Sequence, residues 1–171
     1  PVLEAAAAGQ LACIEWLVGH GVDVNTCDNR GDTALHLAAG YGHHDVVAWL
    51  LKNGARVDAR TQIKVTPLLY ACAKGRMGAI RLLVDHGADP FAQDDERGWN
   101  AAHTAAGCNQ STALKFLAAR FPALILSKTA DGRSPDLVAM DERCPDSYLA
   151  CMELSSVARK RSRREKLAER K

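Results

Sequence analysis

The sequence predicts an all-α solenoid, built from short helix pairs stacked side by side with a projecting finger loop between successive pairs. Three observations carry that reading. Gly21, Gly54 and Gly87 recur at a step of 33 residues, the kind of period that marks a repeat array. The stretch Gly31–Ala59, GDTALHLAAGYGHHDVVAWLLKNGARVDA, shows the apolar spacing of two helices, a glycine-rich break between them and an extended exit. Aromatic residues are 5% of the chain against 47% apolar, so burial falls to Ala, Leu, Val and Ile. An interior of that kind suits thin layers that approach closely.

The register extends well beyond glycine. The same step aligns Trp16 with Trp49 and Leu82, Ile14 with Val47 and Ile80, and Leu17 with Leu50 and Leu83. Thr33 meets Thr66, and one inserted residue carries the register to Asn100 and Ser134, so TALHLAAGYG, TPLLYACAKG, NAAHTAAGCN and SPDLVAMDER are copies of one opening. The predicted units are 1–30, 31–63, 64–97, 98–131 and 132–156, a repeat domain over 1–156, followed by a basic helix or tail over 157–171.

Taken in order, the first unit lacks the Thr opening and begins inside its first helix, with Leu3 at the position of His36. In the second, Thr33 is an N-cap whose hydroxyl can accept an orphan backbone N–H. That helix is expected to stop at Gly40 and Gly42. Asp45 then starts the second helix, its charge at the positive end of the dipole, and Gly54 supplies a left-handed cap. The third unit has Leu69 where the others have His36 and His103, which removes any hydrogen bond through that imidazole, and it has Lys64 at the finger-tip position held elsewhere by Gly31, Gly98 and Gly132. In the fourth, Phe121-Pro122 replaces the helix-ending glycine. The fifth opens at Ser134 and closes with a helix through Tyr148, Leu149, Met152 and Leu154.

These phrases resemble the ankyrin repeat. The TALHLAA opening, the GHHDVV start of the second helix and the LLKNGARVDA exit stand in that family's order, and the resemblance covers roughly residues 1–155. It implies units that stack on their neighbours, with finger loops and inner helices forming a concave groove for a protein partner.

Chemistry finds little support. His43-His44 are neighbours pointing about 100° apart on a helix, with no third ligand at metal spacing, and read as an exposed imidazole at the start of a helix. His36 and His103 recur at one repeat position, as packing requires and a unique catalytic role does not. His20 and His86 likewise recur beside the capping glycine. Cys108 and His103 lack an orienting group and an oxyanion donor, and GYGHHD lacks the strand and Lys of a phosphate loop. The six cysteines, Cys13, Cys27, Cys72, Cys108, Cys144 and Cys151, form no CxxC pair. They read as free, mostly buried thiols in a reducing cytoplasm, with nucleus or cytoskeleton as further settings. The expectation is a non-enzyme without metal, cofactor or small-molecule substrate.

Binding is better supported, at positions that vary while the core pattern holds. The finger tips offer Arg30, Asp32, Arg60, Gln62, Lys64, Asp94, Asp95, Arg97 and Trp99, and the groove-side helix ends offer Tyr41, Lys74 and Asn109. Trp99 stands out, since its equivalents are Asp32, Val65 and Arg133, and an exposed Trp at a finger tip is a natural hot spot. Packing against the neighbouring finger is its competing reading.

Charge divides the chain. Residues 159–171 carry eight cations, Arg159, Lys160, Arg161, Arg163, Arg164, Lys166, Arg170 and Lys171, and two glutamates, a local +6 against a chain total of +2, which leaves −4 on the remainder. The segment has strong helix formers and no Gly or Pro, so the closing helix is expected to continue through it. Its targets by charge are RNA phosphate or an acidic protein surface such as a cytoskeletal filament. A membrane is disfavoured by the lack of an apolar stripe. No apolar run approaches the roughly 20 residues that span a bilayer, and the start lacks a signal-peptide pattern. The chain opens at Pro1 rather than Met, which fits the ordered part of a longer protein.

Overall fold

A computed structural model describes the backbone of residues 1–168 and the side chains of residues 1–160. Among the described residues ten α-helices run in five antiparallel pairs: α1 (Val2–Ala7) with α2 (Leu11–Gly19), α3 (Ala34–Tyr41) with α4 (His44–Lys52), α5 (Pro67–Ala73) with α6 (Met77–Asp85), α7 (Ala101–Gly107) with α8 (Ser111–Arg120), and α9 (Pro135–Asp141) with α10 (Pro145–Ala168). The inner helices α1, α3, α5, α7 and α9 stack in sequence, and α4, α6, α8 and α10 form a second row behind them. One row of small residues explains how closely the inner helices approach. Ala5, Ala38, Ala71, Ala105 and Ala139 occupy equivalent positions, and all are buried. Leu50, Ile80, Leu83, Leu114 and Leu117 on the outer helices close the core behind them.

Caps follow the repeat register. The Nδ1 of His36 accepts from the Thr33 backbone N–H at 3.1 Å and lies 2.9 Å from its hydroxyl. Thr66 Oγ1 accepts from Leu69 N–H, and Asn100 Oδ1 from the N–H groups of Ala102 and His103. The left-handed turn between paired helices recurs at Gly9, Gly42, Gly75, Asn109 and Arg143, with φ from +56° to +87°. Gly40 does not end α3. The helix runs through it to Tyr41, and Gly42 takes the left-handed cap. The helix after it opens at His44, one residue before Asp45. Lys64 has φ +57°, so the third finger keeps the turn of its glycine-bearing neighbours.

Successive units are tied by side chains at equivalent places. His36 Nε2 donates to Val65 O and His103 Nε2 lies against Arg133 O, each at 3.1 Å. Of the His43-His44 pair, His44 is exposed at the opening of α4 as expected, whereas His43 is half-buried and reaches back to Ala7 O at 2.9 Å. Its equivalent Arg76 reaches Gly40 O at 3.2 Å. Burial pushes the pKa of both His36 and His103 below the ordinary imidazole value. His20 and His86 each bond through Nδ1 to a carbonyl in the last turn of their own helix, Trp16 O and Leu82 O.

At the C-terminal end, a 3₁₀ turn over Pro122–Leu126 replaces the glycine-ended exit. The basic segment is no separate helix, because α10 runs unbroken across the expected boundary at 156. Tyr148 and Leu154 pack on the core, whereas Leu149 and Met152 face outward. Cys72, Cys144 and Cys151 are buried, Cys108 is partly buried, and Cys13 and Cys27 are exposed.

Candidate protein-binding groove

The inner helices present one residue per unit along the concave side: Ala8, Tyr41, Lys74, Cys108 and Glu142. A deeper row of repeat equivalents is Leu37, Tyr70, Thr104 and Val138, of which Tyr70 and Thr104 line a cleft and Val138 is fully buried. The helix-end row therefore continues from Tyr41 and Lys74 to Cys108, while Asn109 belongs to the left-handed turn. Its side chain is turned to the next unit, donating to Asp146 at 3.3 Å and accepting from Ser147 N–H at 3.2 Å.

Two aromatic side chains lie on the floor because glycines make room for them. A Cβ on Gly40 would stand 3.0 Å from the Tyr70 ring, and one on Gly107 would stand 2.7 Å from two ring carbons of Trp99. Tyr70 donates its hydroxyl to Asp32 at 2.6 Å and meets the His36 ring edge-on. Burial, and then the Asp32 acceptor, push the Tyr70 phenol well above its usual value.

Asp32 is thus no finger-tip contact. It is 1% exposed and held by Tyr70 and by Arg30 at 3.0 Å. Trp99 is not an exposed tip either: at 5% exposure it lies under Arg97, whose guanidinium stacks 4.6 Å from the ring centroid. Its indole N–H finds no acceptor among the described residues. Of the remaining finger residues, Asp94 accepts from the N–H groups of Glu96 and Arg97 within its own turn. Lys64 pairs with Asp95 at 2.9 Å, and Gln62 donates to Asn29 O at 2.7 Å. Arg30, Arg60, Gln62, Lys64, Asp95 and Arg97 are exposed on the fingers, and Tyr41 and Lys74 on the groove side. Tyr70 and Glu142 complete the surface and were not singled out from the sequence, although stepping Leu37 and Tyr41 by the repeat period reaches both. Arg159 and Lys160 are exposed on α10. The side chains of Arg161, Arg163, Arg164 and Lys166, and Arg170 and Lys171 altogether, lie outside the described residues.

Between the third and fourth units lies a cleft of about 270 Å³, floored by Leu69, Tyr70, Trp99 and Thr104 and rimmed by Lys74, Asp94, Glu96 and Arg97. This arrangement of stacked pairs, fingers and concave floor has a counterpart in known sequences. A family model described as Ankyrin repeats (many copies) matches residues 2–51, 37–83 and 68–118, well over half of the chain. The chain belongs to the ankyrin-repeat family.

Among its relatives, the palmitoyltransferase Hip14 of Drosophila melanogaster is 38% identical over 96 residues, which is 56% of this chain and 15% of that protein. The ankyrin repeat and SOCS box protein 11 of Danio rerio is 38% identical over 96 residues, 56% of this chain and 32% of its own length. A probable 26S proteasome regulatory subunit, p28, of Saccharomyces cerevisiae is 27% identical over 147 residues, 85% of this chain and 64% of its own. The chain thus spans only part of the relatives it matches. As an ankyrin-repeat solenoid it is a protein–protein interaction module. Among the described residues no helix is long and apolar enough to cross a membrane, and no cluster of His, Cys, Asp or Glu is placed to hold a metal ion.

Proposed function

We propose that this module is non-catalytic and scaffolds a partner protein through its concave groove and finger tips, in the cytoplasm. The observation that carries the proposal is the cleft at the centre of the groove. An apolar, aromatic floor under exposed charged side chains is the composition of an interface core with a polar rim, and Tyr, Trp and Arg are the residue types that dominate binding energy. Substituting Tyr41 and Lys74 together by Ser tests this, with partners identified by mass spectrometry from full-length bait. Loss of the same partners that the unsubstituted chain retains supports the groove. Retention of every partner removes it.

A second reading has its own observation. The closing helix continues unbroken into the segment that carries eight cations, which suits docking on RNA or an acidic cytoskeletal filament as a subunit of a larger assembly. Each phosphate contact releases a counterion, so log K should fall with log salt at about −0.7 to −0.9 per contact. A chain ending at Ser156 would lose that dependence if the tail acts this way, whereas a groove-bound partner would show a much flatter curve in both proteins.

A further inference from the structure

We infer that a second copy of this chain packs on the C-terminal end of the stack, with the two α10 helices antiparallel across a two-fold axis. The reason begins with what each unit presents to the next. His36 Nε2 reaches Val65 O in the following unit, and the Arg81 guanidinium lies over the Phe116 ring of the following outer helix, so both positions face forward along the stack. In the fifth unit Leu137 is the equivalent of His36, and Leu149 of Arg81. Met140 stands where Ala39, Cys72 and Ala106 are fully buried, and Met152 where Val84 and Ala118 are buried. These four side chains of the fifth unit are 41% to 63% exposed, because among the described residues no unit covers them.

The described chain does not supply a sixth unit. The outer helices α2, α4, α6 and α8 stop after 9 or 10 residues and lead into the next unit, whereas α10 runs 24 residues without a break. Two leucines and two methionines at one end make an apolar patch of the kind that marks an interaction site, and methionine adapts to what packs on it. At Leu149 the composition departs from the repeat, since its equivalents Arg81 and Lys115 are exposed cations.

Charge decides what covers the patch. Residues 131–153 hold six carboxylates and two arginines, a local −4, against the +6 of residues 159–171. The two regions lie at opposite ends of α10, which makes the helix complementary to an antiparallel copy of itself, as an isologous contact requires. A two-fold axis near Met152 sets Leu149 and Met152 against the same residues of the other copy. It also brings Arg159 and Lys160 of each copy opposite the start of the other's α10, beside Asp141 and Asp146, and all four are exposed. Parallel helices would set like charges side by side. A head-to-tail stack would lay α10 along α2, which carries one carboxylate, Glu15. Tyr41 and Lys74 stand on other units, so the dimer leaves the centre of the groove open.

The test is sedimentation equilibrium of the full chain over a concentration series. A monomer–dimer equilibrium is expected, with no species beyond two, and it should weaken as salt screens the exposed charges. Leu149→Lys copies Lys115 at the equivalent place on α8, so the fold tolerates it. It should raise the dimer dissociation constant on the order of a hundredfold, because the axis counts each substitution twice. Arg159→Glu with Lys160→Glu should weaken the dimer, and adding Asp141→Lys and Asp146→Lys should restore it. With the exposed Cys13 and Cys27 changed to Ser, Met152→Cys should cross-link one copy to the other on mild oxidation. A chain that stays monomeric at every concentration overturns the inference, as does a dimer that Leu149→Lys leaves intact. Assembly beyond two that Trp16→Ser dissolves means head-to-tail stacking, and overturns it as well. A dimer indifferent to the charge reversals refutes the antiparallel arrangement.

Discussion

Gly107→Ala places two opposing effects on one methyl group. Gly107 is the last residue of α7, and replacing a helical glycine by alanine ordinarily stabilises by about 0.5–1 kcal/mol. Here the new Cβ would stand 2.7 Å from two ring carbons of Trp99 and 3.1 Å from a methyl of Val138. Neither neighbour has free space behind it. Trp99 is buried with Arg97 stacked on its face, and Val138 is fully buried in the next unit. Overpacking at such a site costs about 1–3 kcal/mol. Propensity gains least at a helix end, so the net should be a loss of about 1–2 kcal/mol. Gly19 provides the control, because it ends α2 and a Cβ there meets nothing within 4 Å. Urea unfolding of both variants checks the comparison, with Gly19→Ala above the unsubstituted protein and Gly107→Ala below it. If the two were stabilised equally, Trp99 would not be lying against α7, and the floor of the cleft would be misplaced.

Three other outcomes are expected. Because burial holds His36 and His103 below the ordinary value of 6.5, the unfolded chain takes up protons first as pH falls. Stability should be fully present well above 6.5 and decline as pH falls below it, and His36→Leu, which copies Leu69, should flatten that slope in pH-dependent urea midpoints. Arg143 holds φ +56° where three other units have glycine, so Arg143→Gly should stabilise by about 1 kcal/mol in thermal unfolding, and a destabilised variant would mean the Arg143 side chain matters more than its backbone. Leu83→Ala empties a fully buried site on α6 and should lose about 2–5 kcal/mol in denaturant, with a loss well under 1 kcal/mol refuting the register of the outer helices.

The repeat and its helix pairs were legible because they depend on short-range chemistry. Glycines at left-handed turns, Thr and Asn caps, and alanine on the inner face each act within a few residues. The left-handed turn at Lys64 was legible for the same reason, since its repeat equivalents are all glycine. The site was less legible because it depends on what lies one unit away. Nothing in the finger sequence of Trp99 announces that Gly107 leaves a slot for its ring, so comparing the repeats left that Trp between an exposed hot spot and packing, and the structure buries it. Asp32 has the look of a free finger-tip carboxylate until Tyr70, 38 residues on, delivers a hydroxyl to it. His43 was misread likewise, its acceptor being a carbonyl in the preceding unit. Stepping Tyr41 by the period would have found Glu142, whereas Tyr70 is the equivalent of Leu37 and no residue named from the sequence steps to it.

The imidazole ties do not run the length of the stack. They join the second unit to the third and the fourth to the fifth, and Leu69 stands where the tie between the third and fourth would be. What crosses there includes the exposed pair Arg120–Asp85 at 3.3 Å and the Arg81 guanidinium over the Phe116 ring, both between the outer helices. In a one-dimensional array the weakest coupling decides where the stack parts. The cleft lies across that same junction. A chain seated in it would act as a splint, so that the free protein should unfold as two blocks and the bound protein as one.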